Sequence, residues 1–335
     1  MPPKSTSKKT HKASPKVQRL LLKKFLKIIS RLLLPALLLG IVWFIFSRSV
    51  KPTFNGERAF QYLVQQCEFG PRNPASEGYT RCKQFLVDEL EKHCDRVGQQ
   101  EFEYRDKKDS TNIYRGTNII ASINLHPKKR KRIMLCAHWD TRPWADNDPL
   151  PENHSKPIIG ANDGASGVAV LLELARALKK AKLDIGVDII LFDLEDIGDH
   201  QYYEYPDSLN PFSVGSEYFA EHNKQYRPAF GILIDMIGDS DLLIKKESYS
   251  LINAEPIVNK VWAAARITRA TAFVDAEGGA VNDDHVPFLK RGIQVVDLID
   301  FDYQYWHTMG DTPDKCSAES LQQLGNVLIE ILLRE

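Results

Sequence analysis

Cysteine is scarce and poorly placed for metal binding. The five residues Cys67, Cys82, Cys94, Cys136 and Cys316 match no zinc-site spacing. An odd number also rules out complete pairing within one exported chain, although one bridge among Cys67, Cys82 and Cys94 stays open. Cys136 lies in an apolar run and reads as a small buried residue. Acid is missing altogether from residues 1–51, which hold twelve of the 44 Lys and Arg. A formal charge of zero therefore hides an asymmetry, because the remaining 32 basic residues face 44 Asp and Glu. So acidic a remainder excludes nucleic acid as a partner. No internal repeat is visible. The single long apolar run, LLLPALLLGIVWFIF at 32–46, is shorter than the roughly 20 residues of a comfortable membrane span.

That run and its basic flank nevertheless follow the positive-inside pattern. The expectation is a disordered cytoplasmic segment at 1–31, a transmembrane signal anchor at 32–47 and a linker at 48–55. A catalytic domain at 56–335 would then lie on the exported side of a single-pass membrane protein, in a periplasm or alternatively a secretory lumen. A cleaved signal peptide is the alternative, but its basic region is rarely so long and no clear cleavage site follows the run. LLKKFLKIISRLLL could instead begin a surface helix leading into the span.

From residue 56 onward, helical and strand-like periodicities alternate. Helices are predicted at about 56–68, 77–95, 164–180, 215–223, 255–266, 285–291 and 317–334. Strands are predicted near 98–104, 117–124, 132–137, 187–194, 230–236, 271–275 and 293–298. This order predicts an α/β fold, a three-layer α/β/α sandwich on a mostly parallel, mixed sheet. The basic turn HPKKRKR reads as solvated, and the 199–212 loop, with HQYYEYPDSLNP, as a substrate lid.

Acids and histidines recur where the apolar runs end. RIMLCA precedes His138 and Asp140, VDIILFDL precedes Glu195 and Asp196, and AFGILI precedes Asp235. Ligand crevices in open α/β sheets lie at those carboxyl ends. Oxygen and imidazole donors without cysteine suit a catalytic zinc with an open position. Asp163, at the start of a helix, Asp196 and His307 form the expected primary site. Singly, each could be a cap, a surface acid or a solvated histidine. Glu195 points away from its neighbour Asp196 on extended backbone, which suits a proton shuttle. Asp140 could orient a ligand or the substrate amine, and Asp235 either binds a second metal or hydrogen-bonds within the cluster. Asp283 and Asp284 add carboxylates, while His285 reads as structural or capping.

The order H-x-D, D-x-x-S-G, E-D, D-M-I-G, D-H-x-P-F and H-T-x-x-D-T resembles the zinc aminopeptidase superfamily across residues 56–335. Within it, DDHVPFLKRG, YWHTMGD, HWDTRPWAD and LEDIGD look most like glutaminyl-peptide cyclotransferases of bacterial type. The resemblance implies a single zinc on Asp163, Asp196 and His307. It implies Glu195 as general acid/base, Asp235 and Asp283 as acids hydrogen-bonded around it, and Trp306 as a pocket wall. Trp139 and Trp144 are further pocket residues in this reading, or core. Two departures stand out. Ala137 and the cysteine-free stretch 163–180 lack a disulfide of the animal enzymes, and Asp196 stands where those have glutamate.

The implied reaction turns the N-terminal glutamine of peptides or proteins into pyroglutamate and releases ammonia. A two-zinc aminopeptidase is the alternative, since all five of its ligand positions (His138, Asp163, Asp196, Asp235, His307) are present. The third reading is a non-catalytic, membrane-tethered binding domain.

Overall fold

The computed structural model describes residues 52–107, 109–125, 131–198 and 211–335, together with Lys16, Arg19, Leu20, Lys23, Lys24 and Lys27. The chain divides into a unit of residues 1–50 and a unit of residues 51–335. In the first, the six described positions are helical and exposed. Among the described residues, no helix is long and apolar enough to cross a membrane. This corrects the expectation of a single-pass membrane protein tethered by a signal anchor. The run 32–47 on which that expectation rested lies outside the described residues, as do the 199–210 segment and most of the HPKKRKR turn.

In the second unit, α1 (Gly56–Glu68) and α2 (Glu77–Glu91) precede the antiparallel strands β1 (Arg96–Arg105) and β2 (Ile113–Ile123). Asn55 and Ser76 cap the two helices by accepting the Arg58 and Tyr79 N–H groups. Then come β3 (Arg132–His138), α3 (Ala165–Leu178), β4 (Gly186–Phe192), α4 (Val214–His222) and β5 (Phe230–Asp235). They are followed by β6 (Ile244–Lys246), α5 (Ser248–Thr268), β7 (Phe273–Glu277), α6 (Val286–Leu289), β8 (Val295–Ile299) and α7 (Ala318–Leu333).

The main sheet has the order β1-β2-β4-β3-β5-β8. Its β4-β3-β5-β8 part is parallel, and β2 joins it antiparallel to β4. The mixed sheet matches the sequence expectation, with one difference. The strand expected near 271–275 leaves the main sheet and pairs with β6, a three-residue strand the sequence did not signal.

Side-chain alternation divides the core into two faces. Ile133, Leu135, Ala137, Ile189, Leu191, Ile232 and Ile234 pack toward α1, α3, α5 and α7. Met134, Cys136, Ile190, Phe192 and Leu233 face the other way, onto Phe219 of α4 and Phe288 of α6. All five cysteines are free, so the possible bridge among Cys67, Cys82 and Cys94 is not formed. Burial pushes each of those three thiols up to about 12.

One close approach sets the position of α3. A Cβ on Gly167 would lie 2.4 Å from the Ile234 carbonyl oxygen and 2.9 Å from the Ala137 Cβ. Gly167→Val is therefore expected to cost about 1–3 kcal/mol by overpacking, read as a lower urea midpoint at unchanged slope.

Candidate metal centre

The carboxyl ends of the three central parallel strands carry the site. β3 ends at His138 and β5 at Asp235, while β4 runs out into Asp193, Leu194, Glu195 and Asp196. Asp163 immediately precedes the start of α3, and His307 comes from the loop after β8. Gly164, at φ 93°, brings α3 against the His138 ring. A Cβ there would sit 2.6 Å from the Asp140 carbonyl oxygen and 3.1 Å from the His138 Cε1.

Leu194, Met236 and His307 are non-glycine residues in the left-handed region, at φ 56°, 45° and 56°. Such conformations persist only where the surroundings over-determine them. Here they do. The Leu194 N–H donates to Asp193 Oδ1 at 2.8 Å, and the Met236 N–H to Asp235 Oδ1 at 2.8 Å. Asp140 accepts the Glu195 and Asp196 N–H groups at 3.2 and 3.3 Å, and lies 3.6 Å from His138 Nδ1. Asp140 thus braces the Glu195–Asp196 turn and the His138 ring together.

Two groups of side chains converge closely enough to hold a metal ion, His138–Asp163–Asp235 and Asp163–Asp196–His307, all buried. His138 Nε2 is 3.1 Å from both Asp163 Oδ1 and Asp235 Oδ1. His307 Nε2 is 3.6 Å from Asp163 Oδ2 and 3.3 Å from Asp196 Oδ1. Asp163 Oδ2 and Asp196 Oδ2 are buried with no hydrogen-bond partner. Native interiors seldom leave such atoms unpaired, so the donor set fits a divalent cation. The two clusters are consistent with one or two zinc ions.

Electrostatics separates the carboxylates. Burial and then Asp196 raise Asp163. Burial would raise Asp196 too, but His307 and Arg142 outweigh it and hold that group below the usual range. Burial pushes Glu195 well up, with Asp196, Asp283 and Asp284 adding to the shift and His138 opposing it. Asp283 is raised well above the usual range, first by burial and then by Asp235 and Asp284. Of the carboxylates at 140, 163, 193, 195, 196, 235 and 283, Glu195 is the most exposed, half-buried where the others are buried.

The tryptophans part company. Trp306 is half-buried and lies over the His307 ring, with centroids 3.9 Å apart. Trp144 is half-buried beneath the Arg142 guanidinium, 5.5 Å from its ring. Trp139 is fully buried, packs on Tyr79 and donates its indole N–H to the Thr117 carbonyl, which makes it part of the core. His285 sits at the start of α6 without a side-chain cap, 3.3 Å from Glu247.

Sequence reasoning passed over Arg142 and Asp146. Arg142 is fully buried and donates through Nη1 to Asp196 Oδ1 at 2.8 Å, and through Nε and Nη2 to Asp146 at 2.7 and 2.6 Å. Asp146 in turn lies 3.5 Å from His307 Nδ1. One guanidinium therefore ties down Asp196 directly and His307 through Asp146. Lysine at 142 would lose the two-pronged contact. Arg142→Lys is expected to weaken zinc affinity about 10–100-fold, read by chelator competition. An unchanged affinity would remove the residue from this role. Asp311 was also missed. It accepts the Asn162 and Asp163 N–H groups and the Tyr303 hydroxyl, fixing the loop before α3. All three residues stood inside the quoted motifs HWDTRPWAD and YWHTMGD, but nothing local announced their partners.

Residues 118–332 match the model of peptidase family M28. The chain belongs to peptidase family M28. Among solved members of similar structure is the glutaminyl cyclase of Bacteroides thetaiotaomicron bound to N-acetylhistamine, at TM-score 0.80 and 36% identity. That match covers 85% of this chain and all of the other. A leucine aminopeptidase precursor from the same species gives TM-score 0.80 and 37% identity over 86% of this chain and 99% of its own. The curated glutaminyl-peptide cyclotransferase of Bos taurus is 25% identical over 248 residues, which are 63% of this chain and 64% of that protein. The chain thus spans just under two thirds of that M28 relative's length.

Proposed function

We propose that this M28 protein is a zinc-dependent glutaminyl-peptide cyclotransferase acting on peptides or proteins with an N-terminal glutamine. The observation that carries the reading is the combination of a half-buried Glu195 beside the metal-binding residues with Trp306 lying over His307. Asp163, Asp196 and His307 would hold the zinc. The ion, when bound, supplies Lewis-acid polarisation of the γ-carboxamide oxygen.

The protein's own side chains do the rest. Trp306 provides a flat apolar wall that orients the glutamine side chain. The α-amine and the γ-carbonyl carbon belong to one molecule, so closure of a five-membered ring needs no external nucleophile. Glu195 takes a proton from the α-amine as the new C–N bond forms. It returns that proton to the departing amide nitrogen, which leaves as ammonia. The raised proton affinity of Glu195 suits a group that must both accept and donate a proton. Asp283, similarly raised, lies close enough to act on the Glu195 carboxyl electrostatically.

The His138–Asp163–Asp235 cluster favours a second reading, a two-zinc aminopeptidase. Its chemistry would release free N-terminal residues. The complete ligand set and Glu195 leave a non-catalytic binding domain without support. Product mass decides. Incubation with a glutamine-initiated peptide and with a leucine-initiated peptide is expected to give a loss of ammonia from the first and no change in the second. Release of free amino acids from either peptide would overturn the cyclotransferase.

A further inference from the structure

The apolar surface beside the metal centre does not end at Trp306. Trp306 packs with Met236, Ile299, Tyr303 and Val281 in one cluster, and its ring lies 5.0 Å from that of Phe301. Val281, Ile299 and Phe301 also line a cavity of about 270 Å³. Leu243 completes its apolar wall. Leu243 and Phe301 remain 46% and 49% exposed, so two large hydrophobic side chains of the same cavity present much of their surface to solvent.

Its charged lining is one-sided. Lys245, Glu247, Glu277 and Asp302 contribute one cation and three anions. Lys245 is already engaged, because its ammonium pairs with Asp302. Glu247 forms the floor. It accepts the N–H groups of Tyr249, Ser250 and Val281 and lies 3.3 Å from His285 Nε2. These contacts outweigh its burial and hold the carboxyl down at about 2, so its charge persists. Glu277 is exposed at the rim and forms no ion pair among the described residues. Apolar walls with an acidic floor and rim suit a long aliphatic stem that ends in a cation.

We infer that this cavity is the subsite for a lysine or arginine side chain of the substrate, two to four residues into the peptide. The stem lies along Leu243 and Phe301, and the charged head meets Glu277. This rests on the cyclotransferase reading, because its position is argued from continuity with the Trp306 wall. It makes the enzyme selective for glutamine-initiated peptides with a basic residue close behind.

The test uses glutamine amide, which has no downstream residue, and peptides starting with glutamine and bearing Lys, Leu or Glu at position 2, 3 or 4. Ammonia release gives kcat/KM for each. At one position, Lys is expected to exceed Glu by about fivefold, mainly through KM, with a smaller margin at high salt. Glu277→Lys should bring that Lys-to-Glu ratio to one or below. The ratio is taken within a single variant, so any general loss of activity cancels. Equal rates at all three positions, a preference for Leu over Lys, or a ratio unmoved by Glu277→Lys would each overturn the subsite alone. Failure to release ammonia from glutamine amide and from every peptide would overturn the cyclotransferase, and the subsite with it.

Discussion

Replacing Glu195 by glutamine is expected to lower kcat by about 10²–10⁴-fold while leaving the bound zinc in place. The side chain keeps its size and can still donate or accept a hydrogen bond, so the pocket should be undisturbed. What it loses is the ability to take a proton from the α-amine and return it to the leaving nitrogen. The Glu195 backbone is held by Asp140, and the strained turn before it by Asp193, neither of which depends on the Glu195 carboxylate. Zinc content by elemental analysis and KM should therefore stay near the wild-type values. Retained turnover would remove Glu195 from the shuttle role. Loss of zinc together with activity would mark it as a ligand instead.

Asp163→Ala should have the largest effect on the metal, because Asp163 alone belongs to both clusters. Its Oδ1 faces His138 and its Oδ2 faces His307. Without it neither triad is complete, and zinc after dialysis is expected to fall to background. The thermal response carries a second signature. Zinc that binds the folded state raises the wild-type Tm in proportion to ln(1 + [Zn]/Kd). The variant should lose that rise. In the metal-free protein its Tm should hold or increase, because one member of a crowded set of buried carboxylates is gone. Asp235→Ala supplies the contrast. It dismantles only the His138 cluster, so a protein that carries one zinc on Asp196 and His307 should keep it. Full zinc retention in Asp163→Ala would refute the shared-ligand geometry.

Much of this centre could be read from the chain because its ligands obey local rules. His138, Glu195, Asp196 and Asp235 each follow an apolar run, and the carboxyl ends of buried parallel strands are where polar side chains meet in one crevice. The parallel core, β3, β4, β5 and β8, was legible for the same reason. The Arg142 clamp was not. An Arg and an Asp four residues apart look like an exposed pair, and only the fold reveals that the guanidinium also reaches residue 196. The β6–β7 pair escaped because three residues at 244–246 carry too little pattern, which left 271–275 without a visible partner outside the main sheet. Trp139, next to a metal-facing histidine, looked available to substrate. Alternation along the strand turns it to the opposite face, against Tyr79. The anchor expected at 32–47 rested on hydropathy and flanking charge alone, and no described helix has the length or apolarity to carry it.

The left-handed residues at 194, 236 and 307 have one more consequence. The backbone conformation itself aims Asp196, Asp235 and His307, so the shape of the cage is set by the chain as well as by its ligands. A loose site would reshape itself around whatever cation entered, and the intrinsic affinity order of the divalent metals would then decide its occupant. A rigid one selects by radius and coordination angle as well.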